Sequence, residues 1–570
     1  MAQSRTTELL DFTGGMNTLV APHLISPRES TALINVDVRL GSLASMPNLE
    51  NRGVLDSGGH FYEFNSKIYS YRTYRDNVTW DGKWYWSDGN EVQKMLADGT
   101  VMDLGLATPD TAIDMNEVLD EEGPHTGDFK YTYTFYSSET NVESAPAPLP
   151  NQYVTTESKK IELTNFEVAP EGATHYRIYR VGGYLPVFTL VEAIDKDLTE
   201  YIDDRGDTRI DGRHLQTMYC GLPPQGLENL VEFNGRFYGS LGNKIYYSAL
   251  GNPDAWYISD YFVARDTIVG MAASPGGILC MGKFFTMMFY GSQPSDYRVK
   301  LLSDHLGCLD KRSIAYLGDS AVWLSHRSFV MCNGYNVTDI TAHKIDNLRG
   351  ILPTGSVVDD STYYMSFRPQ LVPQDTLYPS NTLLPSLVEG TAGLEEGIIA
   401  MDFKRGNGFS YKMIHYNKII SLGMYRGEVH VGTGSDKQSA INCERTVFHK
   451  CTDFLPCSGY NVNRLSVYNN QGLAPLYYLS PRLANGSLAT LKEYDKVRIV
   501  YTGIFNIKII FDNGEVVVER NTAELEDLDG FIIIGIPNNN NKSQFIRFAI
   551  EGKGIISSIQ YSWKPREVRN

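Results

Sequence analysis

Residues 78–102 read VTWDGKWYWSDGNEVQKMLADGTVM, with Asp-Gly pairs at Asp81-Gly82, Asp88-Gly89 and Asp98-Gly99. Each pair separates runs rich in aromatic or β-branched residues. Asp and Gly tolerate φ > 0, so such spacing predicts consecutive tight hairpins. The texture begins with Phe61 to Tyr71, continues through Val78 to Trp86 and Val92 to Met102, and resumes near Leu230. There Asn234-Gly235 separates Leu230–Phe233 from Arg236–Gly239, and Lys244–Ser248 follows. Ser320–Ser325, Phe329–Cys332 with Asn333-Gly334, Tyr363–Phe367, Gly397–Phe403 and Ile419–Val431 extend it. An apolar strand, a Gly or Asn turn and an aromatic strand recur at roughly the 40–50-residue period of propeller blades. The repeats are too degenerate for a blade count.

Between these runs lies a different block. Glu117 to Pro124 is acidic and reads as a boundary linker. After it, Tyr131–Tyr136 alternates strictly, Ala145-Pro146-Ala147-Pro148 is edge-like, and short strands recur to Asp203. This predicts an inserted β-sandwich. Six strand candidates from Lys496 to Trp563 predict a C-terminal β-sandwich. The expected fold is therefore all-β: a β-propeller with an inserted fibronectin/immunoglobulin-like sandwich and a terminal β-domain. The boundaries are 1–50 for an N-terminal arm and short helix, 51–122 and 208–440 for the propeller, 123–207 for the insert and 441–570 for the terminal domain. The helix is expected at Ser26-Pro27-Arg28-Glu29, a capping box with Pro at the first helical position. Leu371 to Glu396 is expected to be an exposed loop.

The chain has 570 residues, 42% hydrophobic and 21% charged, which excludes wholesale disorder. It carries 67 Asp and Glu against 51 Lys and Arg, a net charge of −16, unsuited to gripping a phosphate backbone by net attraction. The first residues lack the apolar core of a secretory signal. Ile268 to Gly291 is apolar but broken by Ser274-Pro275-Gly276-Gly277, so two strands around a turn are expected there, with no membrane-spanning segment. Seven cysteines without a C-x-x-C pair read as a reduced chain folded in the cytoplasm.

Catalytic motifs are incomplete. Gly277 to Phe284 approaches the phosphate-cradling pattern, but Phe284 stands where the metal-binding hydroxyl would be and a strand follows. Cys443, His449, Cys451 and Cys457 are close in sequence without zinc-site spacing. The carboxylate pairs Glu121-Glu122, Asp203-Asp204, Asp359-Asp360 and the run Glu524 to Asp529 read as solvated loops, though a glycosidase would need such a pair across a cleft. Trp80, Trp84 and Trp86 read as blade packing rather than a carbohydrate platform. The expectation is no enzyme, no catalytic or metal-binding residue and no cofactor.

Three ordered stretches carry a resemblance. They are Asp11-Phe12-Thr13-Gly14-Gly15-Met16-Asn17 with Leu33–Asp37 and Gly41–Leu43; Gly235–Tyr238, Lys244–Ser248 and Gly251–Trp256; and Ala321–Ser325, Cys332–Gly334 and Val337–Ile340. Together they resemble the tail nozzle and packaged-DNA stabilisation proteins of short-tailed bacteriophages. Tyr176–Arg180 and Tyr201–Asp204 make the insert similar to fibronectin-type modules of virion proteins. The resemblance implies a homo-oligomeric ring, usually a hexamer, below the portal and adaptor. It would be a virion tail protein assembled in the host cytoplasm, with double-stranded DNA passing through its lumen without sequence-specific binding. Phe12, Gly14, Gly15, Met16 and Asn17 are the expected neighbour contact, because Gly14-Gly15 is too flexible to stand alone. The rival expectation is a propeller hydrolase or receptor-binding protein acting on a surface glycan.

Overall fold

The computed structural model describes residues 3–566 apart from 18–20, 39, 47–49, 56–59, 72, 211, 219, 292, 327, 342–350, 370–396, 404–409, 416–418, 435–445, 451–472, 486–488, 513 and 526–527. Among these residues the chain is all-β, with helical turns confined to three-residue 3-10 segments such as Asp207–Arg209 and Lys311–Ser313. Among the described residues no helix is long and apolar enough to cross a membrane. The expected exposed loop at Leu371 to Glu396 lies outside the described residues.

Four-stranded antiparallel sheets follow one another along the chain. The strands of one are Asp76–Trp80, Lys83–Ser87, Val92–Met95 and Val101–Asp103. The next begin at Glu228, Ile268 and Ala315; Ile351–Asp359, Thr362–Pro369, Gly397–Asp402 and Ser410–His415 form a further antiparallel unit that continues into the 14-stranded sheet of the terminal domain through Met413↔Ile34. A hairpin, His60–Phe64 with Lys67–Tyr71, precedes them. The last sheet takes Ile419–Tyr425, Glu428–Gly434 and Thr446–Lys450 from late in the chain and Glu50–Leu55 from its start. The innermost segments of all seven units border one central cavity: His60–Glu63, Asp76–Thr79, Asn229–Glu232, Met271 with Ala273, Ile314 with Tyr316, Thr354–Val357 and Ser421–Met424. The chain is thus a β-propeller of seven units among the described residues, closed by Leu55↔Thr446 to Glu50↔Lys450.

The turn chemistry explains the repeat. Asp81 (φ 49°) with Gly82 (φ 68°) and Asn234 (φ 50°) with Gly235 (φ 72°) turn with both central residues left-handed, the geometry that matches strand twist. Trp84, Tyr85 and Trp86 are all buried, because both faces of an inner blade strand are covered by neighbouring blades. Tyr85, Leu104, Leu227, Phe237 and Trp256 fill one such seam. Ala272, Leu279, Met281, Trp323 and Val330 fill another. Ile268–Ser274 and Gly277–Gly282 are the strands expected around Pro275-Gly276.

The insert departs after Val101–Asp103. Its longest strand, Asp114–Ser137, pairs through its first half with Val154–Thr164 and through its second half with His175–Gly182. One strand therefore belongs to both layers. Phe129, Tyr131, Tyr133, Ile161, Leu163 and Ile178 fill the space between them. The acidic stretch Glu117 to Pro124, expected as a linker, lies inside this strand. Register shifts between Glu117 and Thr126 bulge it outward, where Glu121 meets Lys160 at 2.6 Å and Lys159 Nζ donates to the Leu119 carbonyl at 2.6 Å. The bulge breaks period-2 alternation, which is why the stretch reads as a linker.

The N-terminal residues are not a free arm. Arg5–Leu9 pairs with Ile559–Trp563, and Ala32–Ile34 pairs with Leu479–Tyr477. The expected short helix is absent: Ser26 to Glu29 is a turn, with Glu29 N–H donating to the Ser26 carbonyl, and Glu29–Ser30 pairs as a strand with Gly15–Met16. The cap groups are satisfied by the turn itself, and no apolar 3.6 period follows to prolong a helix.

The terminal domain is built on Lys492–Ile510 and Arg547–Pro565, paired from Lys492↔Pro565 to Ile510↔Arg547. Where this ribbon bends, Gly503 (φ 128°) faces Gly554 (φ 137°). A Cβ on Gly554 would stand 2.0 Å from the Thr502 carbonyl oxygen, and one on Gly503 2.2 Å from that of Lys553. Gly554→Ala is therefore expected to cost at least about 2 kcal/mol. Gly535→Ala, which meets nothing within 4 Å, is expected to be near neutral. Urea unfolding of the two variants checks this, and equal midpoints would contradict the crowded bend.

Candidate functional site

The central cavity, about 650 Å³, gathers the titratable side chains that the repeats converge. Lys311, from the segment between the fourth and fifth units, donates to Asp76 Oδ2 at 2.8 Å and Glu228 Oε2 at 3.1 Å. Asp76 also accepts the Asn229 N–H at 2.8 Å. Burial raises the Asp76 carboxyl above its ordinary range, with the Lys311 charge opposing. Arg312 forks onto Asp310, its Nε 2.8 Å from Oδ1 and its terminal nitrogen 2.5 Å from Oδ2. His60 is pushed down to about 4 by burial and by the charges of Arg312 and Arg368, so it is neutral at pH 7. Glu63 accepts the Arg426 N–H at 2.7 Å, and Glu232 that of Gly235 at 2.8 Å. The carboxylates of the lining thus serve structural bonds. Arg75 lies over the Tyr71 ring at 3.6 Å. No sequence motif marks this site: Asp76 and Lys311 are 235 residues apart.

The residues singled out from the sequence are placed elsewhere. Phe12, Gly15, Met16 and Asn17 are buried within the chain. Phe12 packs edge-on to Tyr478 at 5.6 Å, Gly14 N–H donates to the Arg28 carbonyl, and Asn17 Nδ2 donates to Glu29 at 3.1 Å. The flexible Gly14-Gly15 is steadied by its own chain. Trp84 and Trp86 lie 4.5 Å apart inside an aromatic cluster, and Trp80 packs edge-on to Phe237. Gly277–Gly282 is strand, with Lys283 and Phe284 in the turn after it. Cys443, Cys451 and Cys457 lie outside the described residues, as do Glu526 and Asp527 of the acidic run. Among the described residues no group of three or more His, Cys, Asp or Glu is placed to hold a metal ion.

Asp203, expected in a solvated pair, is fully buried. Its Oδ2 is 2.5 Å from the buried Arg180 guanidinium and accepts from the Tyr131 hydroxyl at 2.7 Å. His125 Nε2 lies 3.0 Å from the Asp203 carbonyl oxygen. Arg180 also reaches Asp207 at 2.6 Å. The module's charged centre thus ties three of its strands to the chain leaving it.

No protein-family model matches the chain, and no curated protein sequence matches it. Among solved structures, a chain of the mitotic checkpoint complex is 10% identical, with 71% of this chain and 94% of that chain covered at a TM-score of 0.28. PorZ, a surface component of the type-IX secretion system of Porphyromonas gingivalis, is 12% identical, with 89% and 70% covered at 0.27. The N-terminal domain of Nup159 is 8% identical, with 62% and 90% covered at 0.24. At these scores the likenesses carry no argument, and the propeller stands on its own sheet order and closure.

The buried ion pair makes a prediction. Burial pushes the Asp203 carboxyl up, but the His125 hydrogen bond, the Arg180 charge and the Tyr131 hydroxyl outweigh it and hold it below the usual range. Its contribution to stability is therefore complete above the ordinary carboxylate pKa and lost as pH falls through the depressed folded value. Asp203→Asn leaves Arg180 without that partner and is expected to cost about 3–5 kcal/mol. Hydrogen exchange at Tyr131 to Phe135 in the full chain checks both statements. Unchanged protection in the variant at pH 7 would contradict them.

Proposed function

We propose that this chain is a ring-forming structural protein of a short-tailed bacteriophage tail, a nozzle subunit beside the portal and adaptor. The observation that supports this reading is the order of the three tail-nozzle-like segments together with where they fall. Phe12 and Met16 of the first lie in a core shared by the terminal domain and the propeller, Gly235 to Trp256 forms most of the third propeller unit, and Ala321 to Ile340 most of the fifth. The large residues of these segments are structural anchors. Trp256 Nε1 donates to the Pro253 carbonyl at 2.7 Å, and Trp323 Nε1 to that of Gly307 at 3.0 Å.

The charge is unevenly placed. Residues 110–213 hold 21 Asp and Glu against 9 Lys and Arg, whereas the rest of the chain holds 46 against 42. In this reading the insert supplies the acidic surface along a lumen shared by several copies, which repels phosphate and lets the duplex slide. The propeller's own cavity is not the conduit, because Lys311 spans from one inner segment to two others across it. The protein acts without catalysis.

Native mass spectrometry of the purified chain, alone and with its portal and adaptor neighbours, tests the reading. A closed ring of several copies, six in the usual case, is expected. A chain that stays monomeric in both conditions would overturn it. Exchanging exposed insert carboxylates for lysine in assembled particles is expected to slow genome release, most at low salt where screening is weakest.

A further inference from the structure

We infer that the edge strand Asp529–Gly535 of one copy docks on the edge strand Arg298–Ser303 of the next. The inference rests on the reading of several copies in one ring and names where they join. Residues 531–534 read Phe-Ile-Ile-Ile, a run of the kind found in strands covered on both faces. Here only one face is covered. Ile532 and Ile534 are buried, whereas Phe531 and Ile533 are each 56% exposed. Arg498 lies over the Phe531 ring at 4.4 Å and leaves that much of it bare. Among the described residues the strand pairs on one side only, with residues 496–502 of the long ribbon, so its outer edge has no strand beside it. No Lys, Arg or Pro within it blunts that edge.

Arg298–Ser303 is the outermost strand of the fourth propeller unit, and among the described residues it pairs only with Thr286–Tyr290. Arg298, Val299, Lys300 and Leu301 are all exposed, Val299 at 51% and Leu301 at 48%. The acids flanking the strand are engaged locally: Asp296 accepts the Gln293 N–H at 2.9 Å, and Asp304 meets His305 at 2.8 Å. This edge is therefore apolar and basic. The other is apolar and acidic, because Glu524 and Asp529 stand exposed at its start. Gly503 N–H donates to the Leu528 carbonyl at 2.7 Å, and the Thr522 hydroxyl donates to the Gly503 carbonyl at 3.1 Å, which holds both acidic segments over one residue. Like charges brought opposite each other on paired strands repel, so each edge rejects its own kind and accepts the other. Two copies joined by the same edge would form a closed pair. Copies joined by unlike edges keep one free edge of each kind at the two ends, the head-to-tail contact that a ring requires.

Charge reversal in separate copies tests this by sedimentation of the full chain. The parent is expected to associate beyond a dimer at about 10 μM. One variant carries Arg298→Glu with Lys300→Glu, the other Glu524→Lys with Asp529→Lys. Each alone sets like charges against each other and is expected to weaken association at least about tenfold. An equimolar mixture is expected to restore it, because every junction then sets acid against base. Recovery on mixing is a result that a folding defect does not give. Phe531→Thr with Ile533→Thr removes the bare apolar face and is expected to weaken association about a hundredfold at an unchanged melting temperature. A parent that stays monomeric at about 100 μM or stops at a dimer, reversal variants that associate alone as the parent does, or a mixture no better than its components would overturn the docking. A ring that survives in every variant would overturn these two edges and leave the ring-forming reading standing.

Discussion

The pairing of Glu50–Leu55 with Thr446–Lys450 is the contact on which the architecture depends. It supplies the fourth strand of the last propeller unit from the opposite end of the chain. Without it the units would form an open arc with an unsatisfied edge, and the inner segments would not converge on a common cavity. The Lys311 bridge to Asp76 and Glu228 presupposes that convergence, since it joins segments brought together only by the closed circle. The closing strand lies far in sequence from its partner, so its loop entropy falls due late in folding. The knitting of Arg5–Leu9 and Ala32–Ile34 into the terminal sheet brings the same two chain ends together and lowers that cost.

The sequence exposes its local rules well and its long-range ones poorly. Asp81-Gly82 and Asn234-Gly235 announce hairpins because their backbone angles are set within two residues. The strands about Pro275-Gly276 are legible for the same reason. Ser26 to Glu29 misleads because a capping box specifies only a turn's hydrogen bonds, and the continuation is decided by the partner strand Gly15–Met16. Glu117 to Pro124 misleads because a bulge erases alternation while the strand continues. The strands Arg5–Leu9 and Ala32–Ile34 are not legible, since their partners lie at the other end of the chain. The cavity was illegible for an equivalent reason: His60, Arg75, Asn229 and Lys311 share no spacing and meet only through closure.

Charge follows the division of the chain. The propeller and terminal domain are close to balanced, and the insert carries most of the excess acid. Within the insert the charged groups are sorted again. Asp203 and Arg180 are buried and paired, whereas Glu121 and Glu122 stand on the exposed bulge. A chain-wide net charge therefore says little about the propeller's own surface and a good deal about one module.

The insert and the terminal domain both rest on long strands whose pairing partner changes midway. Asp114–Ser137 is such a strand in the insert, and the Lys492–Ile510 ribbon bends at Gly503 opposite Gly554 in the terminal domain. Two layers held only by side chains can slide or peel apart under a pull. Layers that share a continuous backbone transmit the pull through covalent bonds, and separating them means tearing a row of ladder hydrogen bonds in shear at once. Such modules behave under tension as stiff brackets rather than as hinges, and the deformation is left to the turns and connections between them.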